Sequence, residues 1–170
     1  MENWPDFRPT ALLERLVTHG VDFVVVGGIA MVLHGSGRIT QDLDVCYSAD
    51  QANLDALGAA MVKLGARLRG VEEDLPYVAD ARMLRRTTIL TLDTSEGPID
   101  LLVRPAGSPD YQTLRSRAER TIFDGVAILI ASLDDLEAMK RASGRDKDRI
   151  DLEEIEVIRR LRGRIRPAKS

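Results

Sequence analysis

The hydrophobic residues of this chain follow two different patterns in different stretches of the sequence. In some stretches they recur every three or four positions, as in a helix with one buried face. In others they form short β-branched runs or alternate with polar residues, as in strands. Helices are predicted at residues 10–20, 28–34, 49–66, 108–119, 132–143 and 146–165. Strands are predicted at residues 21–27, 41–48, 85–93 and 97–105, with two more inside 119–131, so we expect a mixed α and β protein.

Local signals support several of these elements. Asp124 and Gly125 stand between two apolar runs, and this dipeptide predicts a tight hairpin. Ser132 followed by Asp135 has the spacing of a helix-capping box. Residues 70–82 are polar and carry no clear period, so we predict no element there.

Composition narrows the class of protein only slightly. The net charge of −3 and the pI near 5.5 argue against a surface built mainly for nucleic acid. Cys46 is the only cysteine, which excludes an internal disulfide and fits a reducing compartment. The longest apolar run, from Phe23 to Leu33, has eleven residues and is too short to span a bilayer. The N-terminal residues lack a signal-peptide pattern, so we expect a cytoplasmic protein with no membrane partner.

Two carboxylates stand two positions apart at Asp42 and Asp44. Side chains alternate along a strand, so both should point to one face while Leu43 and Val45 point to the core. Like charges this close repel each other unless a cation lies between them. Carboxylates suit Mg²⁺, which binds one or two of them together with substrate phosphates and water. The alternative is that the pair lies on a solvated sheet edge.

A third carboxylate strengthens the metal hypothesis. Asp100 lies inside the apolar strand 97–105, where a charged residue usually has an ionic partner or a metal. If this strand pairs beside the strand of Asp42 and Asp44, the three carboxylates converge and can hold two divalent ions. The alternative for Asp100 is an edge position or a salt bridge to a nearby arginine. Asp93 is a rival third carboxylate, ranked lower because it lies at a strand end.

A glycine pair, Gly27 and Gly28, lies where a predicted strand meets a predicted helix. Thirteen residues separate Gly28 from Asp42. Glycine lets the backbone approach a ligand closely, and the free N–H groups of a helix start favour an anion such as a triphosphate. A tight turn without a ligand is the alternative. Together with the carboxylates, the glycines predict a site that holds phosphate at one end and metal at the other.

These motifs resemble those of the DNA polymerase β-type nucleotidyltransferase superfamily. Its members share an apolar run, a glycine-containing turn, a spacer, an Asp-x-Asp pair and a third Asp on a later strand. Two segments resemble the small bacterial AbiEii-like, toxin-related branch: GGIAMVLHGSGRITQDLDV at 27–45 and KRASGRDKDRIDLEEI at 140–155. The resemblance implies an α/β (α+β) fold, a mixed β-sheet flanked by helices in a single minimal domain. That domain would span 1–170, with its core at about 20–156 and a basic C-terminal end at 157–170.

The resemblance also implies a reaction and roles for the motif residues. An acceptor hydroxyl attacks the α-phosphate of a nucleoside triphosphate (NTP) and releases pyrophosphate. Asp42 and Asp44 would bind both metal ions, Mg²⁺ or Mn²⁺. Asp100 would bind the catalytic ion and help to deprotonate the acceptor. Gly27 and Gly28 would hold the distal phosphates.

Basic and polar residues complete the implied site. Lys140 and Lys147 are candidates to neutralise the triphosphate, and Asp148 is a candidate to orient one of them. Arg38 and Thr40 precede the aspartate pair and can contact phosphate or acceptor, or else stabilise their loop. Two departures from the family matter. Many superfamily members have Gly-Ser in place of the glycine pair, and the toxin relatives are longer, so a partner or second subunit is a candidate source of acceptor-binding residues.

Two hypotheses of different classes follow. The first is a metal-dependent nucleotidyltransferase that moves a nucleoside monophosphate to a hydroxyl of RNA (a tRNA 3′ end), of a protein or of a small molecule. Its biological role would be the toxin of a toxin–antitoxin system, with an antitoxin as partner. The second is a catalytically silent module of the same fold that binds nucleotide or RNA. A pure binding protein has little need of a repulsive carboxylate cluster, so the sequence favours the enzyme over this module and over a plain acidic scaffold.

Overall fold

The structure, a computed structural model, describes residues 6–71 and 81–165. Its helices are α1 (Pro9–Thr18), α2 (Gly27–His34), α3 (Gln51–Lys63), α4 (Ala81–Arg86), α5 (Tyr111–Arg117), α6 (Leu133–Ser143) and α7 (Asp146–Ile165). Its strands are β1 (Phe23–Val26), β2 (Leu43–Tyr47), β3 (Arg67–Leu68), β4 (Ile89–Thr94), β5 (Gly97–Leu102), β6 (Glu119–Phe123) and β7 (Val126–Ile130).

The strands form one mixed sheet in the order β3-β4-β5-β2-β1-β7-β6. β2 lies in the interior, antiparallel to β1 and parallel to β5. β7 runs parallel to β1, and the remaining neighbours are antiparallel. Helices α1 and α2 pack on these central strands, and α6 packs on α2 and α7. The predicted mixed sheet flanked by helices is therefore confirmed.

The central strands are the most apolar part of the chain, which explains their interior position. All four residues of β1 are buried, and Leu43 and Val45 of β2 are fully buried. Cys46 on β2 is buried as well, and its thiol donates to the Val103 carbonyl oxygen at 3.4 Å. Burial raises the pKa of the Cys46 thiol to about 12. A polar side chain on one of these strands, such as Asp44 on β2, is thus partly withdrawn from water.

Two local predictions are confirmed by the backbone. Asp124 and Gly125 both have positive φ, 45° and 84°, as a two-residue hairpin between β6 and β7 requires. Ser132 caps α6, because its Oγ accepts a hydrogen bond from the Asp135 N–H at 3.1 Å. Short-range turn and cap chemistry was sufficient to locate both features.

The segment before β4 differs from the prediction. The pattern predicts a strand from Arg85, whereas Arg85 and Arg86 lie in the last turn of α4 and β4 begins at Ile89. Leu84 of α4 is fully buried, and its carbonyl oxygen accepts a hydrogen bond from Tyr47 Oη at 2.9 Å. Such a contact between distant segments has no signature in the local pattern. β3 has two residues and was not predicted, and most of the unassigned stretch 70–82 lies outside the described residues.

Candidate active site

The carboxylate triad (Asp42, Asp44 and Asp100) lies where β2 and β5 run side by side. These strands are parallel, and their register sets Asp44 directly opposite Asp100. The predicted strand 41–48 begins only at Leu43, so Asp42 lies in the bend before β2. One carboxylate oxygen from each residue lies within 4.8 Å of those of the other two, and all three residues are partly buried. The structure thus brings the three carboxylates together.

Burial and mutual repulsion dominate the electrostatics of the triad. Burial, followed by the charges of the other two carboxylates, raises the pKa of Asp44 to about 7, while Lys140 and the Gly28 N–H act in the opposite direction. Burial also raises the pKa of Asp100, an effect that Arg69 partly offsets. In the absence of a bound cation, the triad therefore retains a proton close to neutral pH.

The donor set of the triad fits a divalent cation. All three ligands are carboxylates, the oxygen donors that Mg²⁺ and Mn²⁺ prefer. Asp100 Oδ1 is buried and makes no hydrogen bond, although Arg69 Nη2 lies 3.2 Å away as an ion pair. A metal ion can satisfy a buried carboxylate oxygen in this situation. Both interpretations of Asp100, metal ligand and salt-bridge partner of an arginine, therefore have support in the structure.

Arg69, the residue after β3, connects the triad to Asp93. Its Nε lies 3.1 Å from Asp93 Oδ1, and its Nη2 donates to the Leu92 carbonyl oxygen at 2.9 Å. The Asp93 carboxylate is thus paired with the Arg69 guanidinium and lies outside the triad. This agrees with its lower rank as a candidate for the third carboxylate. Sequence reasoning missed Arg69 because its position depends on the pairing of β3 with β4, and a two-residue strand leaves no periodic signal.

The glycine pair lies against two side chains of the site. Gly27 has a φ of +64°, and a Cβ at this position would lie 2.1 Å from Asp44 Oδ2. A Cβ at Gly28 would lie 2.6 Å from Thr40 Oγ1. The Gly28 N–H also hydrogen-bonds to Asp44. The tight turn therefore lets the Asp44 carboxylate approach the start of α2, and a role for the glycines in phosphate binding stays a prediction.

A cavity of about 360 Å³ opens onto these residues, and we call it the triad cavity. Of the ten residues that the sequence nominates for the site, all but Asp148 line it: Gly27, Gly28, Arg38, Thr40, Asp42, Asp44, Asp100, Lys140 and Lys147. An apolar part of its wall includes Ile89, Leu102, Pro105, Leu136 and Met139. The structure places the nominated residues around one space, and the role of each residue stays a prediction.

Carboxylates of α7 hold three of the four basic side chains of the triad cavity. Lys140 Nζ lies 2.6 Å from Asp151 Oδ2 and 3.3 Å from Asp148 Oδ1. Arg38 Nη1 donates to both oxygens of Asp151, at 2.5 and 2.6 Å. Asp148 accepts hydrogen bonds from the backbone N and the Nε of Arg145, at 3.0 and 3.1 Å. We call these five residues the ion network; they tie α6 and α7 to the loop before β2.

The ion network contains one contact that was predicted and one that was not. Asp148 contacts Lys140, in agreement with its nomination as an orienting residue. Burial opposes the ionisation of Asp148, but hydrogen bonds from Arg145 and Ser143 outweigh it and hold the pKa of this carboxyl well below its usual range. Asp151 was not singled out. Its spacing of three residues from Asp148 puts both on one face of α7, and that spacing is the signal that could have identified it.

Thr40 and Arg38 stabilise the loop that carries Asp42. The Thr40 hydroxyl lies 3.2 Å from the backbone oxygen of Asp42, to which it donates, and 3.3 Å from Asp42 Oδ1. Arg38 is anchored on Asp151, as described above. These contacts agree with the loop-stabilising alternative for both residues. Lys147, in contrast, is an exposed residue at the wall of the triad cavity.

The described part of the basic C-terminal end makes ion pairs away from the triad cavity. Arg159 pairs with Asp134 and Glu137, both on α6. Arg162 lies 3.8 Å from Glu119 Oε1 and donates to His34 Nδ1 at 2.8 Å. Neither arginine lines the triad cavity. Within 6–71 and 81–165, no helix is long and apolar enough to cross a membrane.

Comparison with known proteins identifies the family. The sequence profile described as "Nucleotidyl transferase AbiEii toxin, Type IV TA system" matches residues 11–154, which is most of the chain. The chain belongs to the AbiEii nucleotidyltransferase family. It is accordingly a nucleotidyltransferase, as the carboxylate and glycine motifs predict. None of the curated protein sequences matches this AbiEii-family chain significantly.

Solved structures of nucleotidyltransferases share the fold of this AbiEii-family member. The lincosamide antibiotic adenylyltransferase LnuA, solved with lincomycin, has a TM-score of 0.61 at 15% identity, covering 88% of this chain and 95% of its own. ANT(2″)-Ia, solved with adenylyl-2″-tobramycin, has a TM-score of 0.54 at 16% identity, covering 93% and 97%. An antigenic nucleotidyltransferase-like protein from Paracoccidioides brasiliensis has a TM-score of 0.51 at 20% identity, covering 89% and 73%. At these identities the likeness shows the fold alone.

Proposed function

We propose that the triad binds divalent ions, Mg²⁺ or Mn²⁺, and that the enzyme moves a nucleoside monophosphate from an NTP to an acceptor hydroxyl. One observation carries the proposal. The parallel register of β2 and β5 sets Asp44 opposite Asp100, with Asp42 close to both, on the wall of a cavity that also contains the glycine pair and Lys140. Three partly buried like charges are costly without a cation, so a chain that folds around them is expected to bind one.

The triphosphate is expected to lie in the triad cavity, between the start of α2 and Lys140. The N-terminal end of a helix carries a partial positive charge and favours an anion. Lys140 is anchored by Asp151 and Asp148, so its ammonium is held near the triad without a change of rotamer. Lys147 adds a second, exposed ammonium at the wall of the triad cavity. A bound divalent ion would supply Lewis-acid stabilisation of the charge that develops at phosphorus.

Asp100 is the candidate base for the acceptor hydroxyl. Burial raises its pKa, which makes its carboxylate a better proton acceptor than an exposed aspartate. Asp42 and Asp44 are the other two carboxylates of the triad, and Thr40 contacts the backbone of Asp42. This division of roles predicts that Asp100→Ala lowers kcat at least roughly 100-fold while the Kd for the NTP changes little. If the variant lowers only the melting temperature, Asp100 is a structural residue.

Thermal unfolding tests the donor site directly. Each of the four NTPs is added with and without Mg²⁺ or Mn²⁺, and the wild type is expected to be stabilised only when metal and triphosphate are both present. The double variant Asp42→Ala/Asp44→Ala should show no such shift. Asp55→Ala is the matched control, since Asp55 is exposed on α3 and does not line the triad cavity. A shift that persists in the double variant, or no shift with any triphosphate, contradicts the proposal.

Turnover separates the enzyme from the catalytically silent module. Slow hydrolysis of the NTP to monophosphate and pyrophosphate uses water as the acceptor, so it can be measured before the true acceptor is known. We expect metal-dependent pyrophosphate release by the wild type and none by the double variant. Metal-dependent NTP binding without any pyrophosphate release would favour the silent module.

We also propose that the enzyme acts as the toxin of a type IV toxin–antitoxin system, with an antitoxin partner, because the family profile carries that description. Induced expression of the wild type in a bacterial host is expected to stop growth, and expression of Asp42→Ala/Asp44→Ala is not. Co-expression of a neighbouring gene that encodes the antitoxin should restore growth. Normal growth under wild-type expression would contradict the toxin role and would leave the transferase proposal untouched.

A further inference from the structure

One face of α7 presents large apolar side chains to solvent. The exposed fraction is more than half in four of them: Ile150 (59%), Val157 (51%), Leu161 (52%) and Ile165 (80%). Successive residues of a helix are rotated by about 100°, so these positions return to within about 80° of one another. They form a band about 22 Å long, which we call the α7 stripe.

The α7 stripe is separate from the face by which α7 packs on its own chain. Ile155 and Ile158 are buried, and Asp148 and Asp151 belong to the ion network. The centre of this inward face lies about 100° around the helix from the stripe. Within residues 6–71 and 81–165, the stripe therefore stays in contact with solvent. A contiguous exposed apolar surface of this kind marks interaction sites on soluble proteins.

The charges on one side of the α7 stripe change sign along the helix. Glu153 and, seven residues later, Arg160 lie on this side, and both are exposed. Glu153 makes no hydrogen bond or ion pair with the residues that the structure describes. Among the same residues, Arg160 pairs only with Glu156, at 3.4 Å, and both partners are largely exposed. Such a pair contributes little to stability, so Arg160 can meet another carboxylate.

Two copies of α7 complement each other when the helices run antiparallel. Val157 lies at the middle of the stripe, which extends from Ile150 to Ile165. Val157 is also, to within one residue, the midpoint between Glu153 and Arg160. A twofold axis at Val157 therefore places Ile150 of one copy beside Ile165 of the other, and the reverse. The same axis places Glu153 beside Arg160 twice, whereas a parallel pair in register would set each charge beside its own copy.

Other charges close to the α7 stripe contribute less to the choice of partner. Glu154 accepts a hydrogen bond from Ser36 of its own chain. In the antiparallel arrangement, Arg164 of one copy lies near both Asp146 and Arg149 of the other, so attraction and repulsion largely cancel. The pairing of unlike charges near the axis thus selects the antiparallel arrangement, and the apolar contact supplies most of the affinity.

We infer that the α7 stripe binds a second copy of this chain, and that the two α7 helices pack antiparallel about a twofold axis at Val157. This inference is independent of the proposed reaction. Ile39, 87% exposed, adds an apolar side chain close to α7, because the Arg38–Asp151 pair joins its loop to this helix. One helix pair buries less than the roughly 800 Å² per partner of a standard interface, so we expect a reversible dimer with a Kd on the order of 10 μM.

Sedimentation equilibrium of the full chain measures the self-association. We expect a monomer–dimer equilibrium, and Leu161→Glu should weaken it at least roughly 30-fold because a charge would be buried in the apolar contact. Val62→Glu is the matched control, since Val62 is 61% exposed but lies on α3, and it should leave the Kd unchanged. Circular dichroism and the melting temperature of the monomer should be the same in both variants, because both positions are exposed.

Charge exchange tests the pairing across the axis. Glu153→Arg or Arg160→Glu alone should raise the dimer Kd roughly tenfold, because each substitution replaces two attractive contacts by two repulsive ones. The double variant Glu153→Arg/Arg160→Glu should recover most of the affinity, since the two pairs are formed again with reversed sign. A double variant that is weaker than both single variants would contradict the antiparallel pairing.

Disulfide trapping tests the position of the axis. Cys46 is 1% exposed and does not compete, so one introduced cysteine reports on the surface. Val157→Cys should cross-link to itself on mild oxidation, because the axis brings two copies of residue 157 together. Ile150→Cys and Ile165→Cys should each fail to cross-link alone and should cross-link when the two variants, tagged to differ in size, are mixed. Val62→Cys is the control and should stay uncross-linked.

Several outcomes would overturn the inference. These are a chain that stays monomeric well above the expected Kd, assembly that grows beyond a dimer, and equal effects of Leu161→Glu and Val62→Glu. Self-cross-linking of Ile150→Cys, or a dimer in which Val157→Cys does not cross-link, would also overturn it, because the helices would then be parallel or the interface would lie elsewhere. None of these results bears on nucleotide transfer, which the metal-dependent thermal shift tests separately.

Discussion

Two clusters of carboxylates, the buried pair of the ion network and the partly buried triad, differ in the charges that surround them. In the ion network, Asp148 and Asp151 face Lys140, Arg38 and Arg145, and hydrogen bonds hold the pKa of Asp148 below its usual range. In the triad, burial and the charges of Asp42 and Asp100 raise the pKa of Asp44 to about 7, and Arg69 lies 3.2 Å from Asp100. Among the described residues, both carboxylates of the ion network form ion pairs, whereas in the triad only Asp100 does, with Arg69.

This difference distinguishes charged side chains that stabilise the fold from charged side chains that are available to bind a ligand. A carboxylate with its own guanidinium or ammonium is neutralised in the folded protein and has no further need of a cation. A partly buried carboxylate without such a partner lowers stability unless an external cation binds. The ion network therefore behaves as structure, and the triad behaves as a binding site, although both consist of the same residue type.

The largest expected effect comes from removing the triad. Asp42→Ala or Asp44→Ala should abolish nucleotide transfer, a loss of at least roughly 1,000-fold in kcat/KM, because both ligands of the proposed metal site are required. The free energy of unfolding without metal should stay equal or increase, since a repulsive charge is removed. Kinetics and urea unfolding measure the two effects. Full activity in either variant would eliminate the metal hypothesis.

A methyl group at Gly27 should affect the triad almost as strongly. Gly27→Ala places a Cβ where Asp44 Oδ2 lies 2.1 Å away, so Asp44 has to move. Gly20→Ala is the matched control, because Gly20 has a similar φ of +69° but open space around its Cβ position. Both variants should lose about 1 kcal/mol from the strained backbone. Only Gly27→Ala should lose nucleotide transfer and the metal-dependent thermal shift. Equal transfer activities of the Gly27→Ala and Gly20→Ala variants would show that the position of the Asp44 carboxylate does not matter for the reaction.

The ion network should respond through stability. Asp151→Asn leaves Arg38 and Lys140 without their shared counter-charge, and we expect the free energy of unfolding to fall by about 3–5 kcal/mol. Asp134→Asn changes the same residue type in an exposed pair with Arg159 and should cost less than about 1 kcal/mol. Urea unfolding measures both variants. Similar costs would mean that the burial of the network does not matter.

The smallest effect is a dependence on pH without metal. The folded state raises the pKa of Asp44 from 3.8 to about 7, so the contribution of this residue to stability is present below about pH 4 and is lost as the pH rises to about 7. The loss amounts to at most about 4 kcal/mol. Asp44→Asn should flatten this part of the stability profile, and Mg²⁺ added together with an NTP should stabilise the wild type more at pH 8 than at pH 5.5. An identical profile in wild type and variant would contradict the raised pKa.

Local chemistry was sufficient to predict most elements and the triad. The spacing of Asp42 and Asp44 and the apolar surroundings of Asp100 identified three residues that the sheet brings together. The hairpin at Asp124 and the cap at Ser132 were likewise visible as short motifs. For the hairpin and the cap, the signal resides in a few neighbouring residues, whereas the convergence of the three carboxylates also requires the pairing of β5 with β2.

Long-range pairing explains what the sequence did not reveal. Arg69 reaches Asp100 only because β3 pairs with β4. The predicted strand 85–93 begins only at Ile89, because Arg85 and Arg86 belong to α4, whose Leu84 carbonyl accepts a hydrogen bond from Tyr47. The same limit applies to a cavity of about 630 Å³ that Phe7 and Asp93 both line. None of these contacts has a period or a motif, so they become visible only when the whole sheet is assembled.

The single thiol of the chain has a practical consequence for solution work. Cys46 is 1% exposed and its pKa is near 12, so almost none of it is thiolate at pH 7 to 8. Maleimide reagents attack the thiolate, and the folded protein should therefore resist them. A cysteine introduced on the surface can carry a fluorophore without prior removal of Cys46. In the unmodified chain, the rate at which Cys46 becomes labelled reports how often the interior of the sheet opens to solvent.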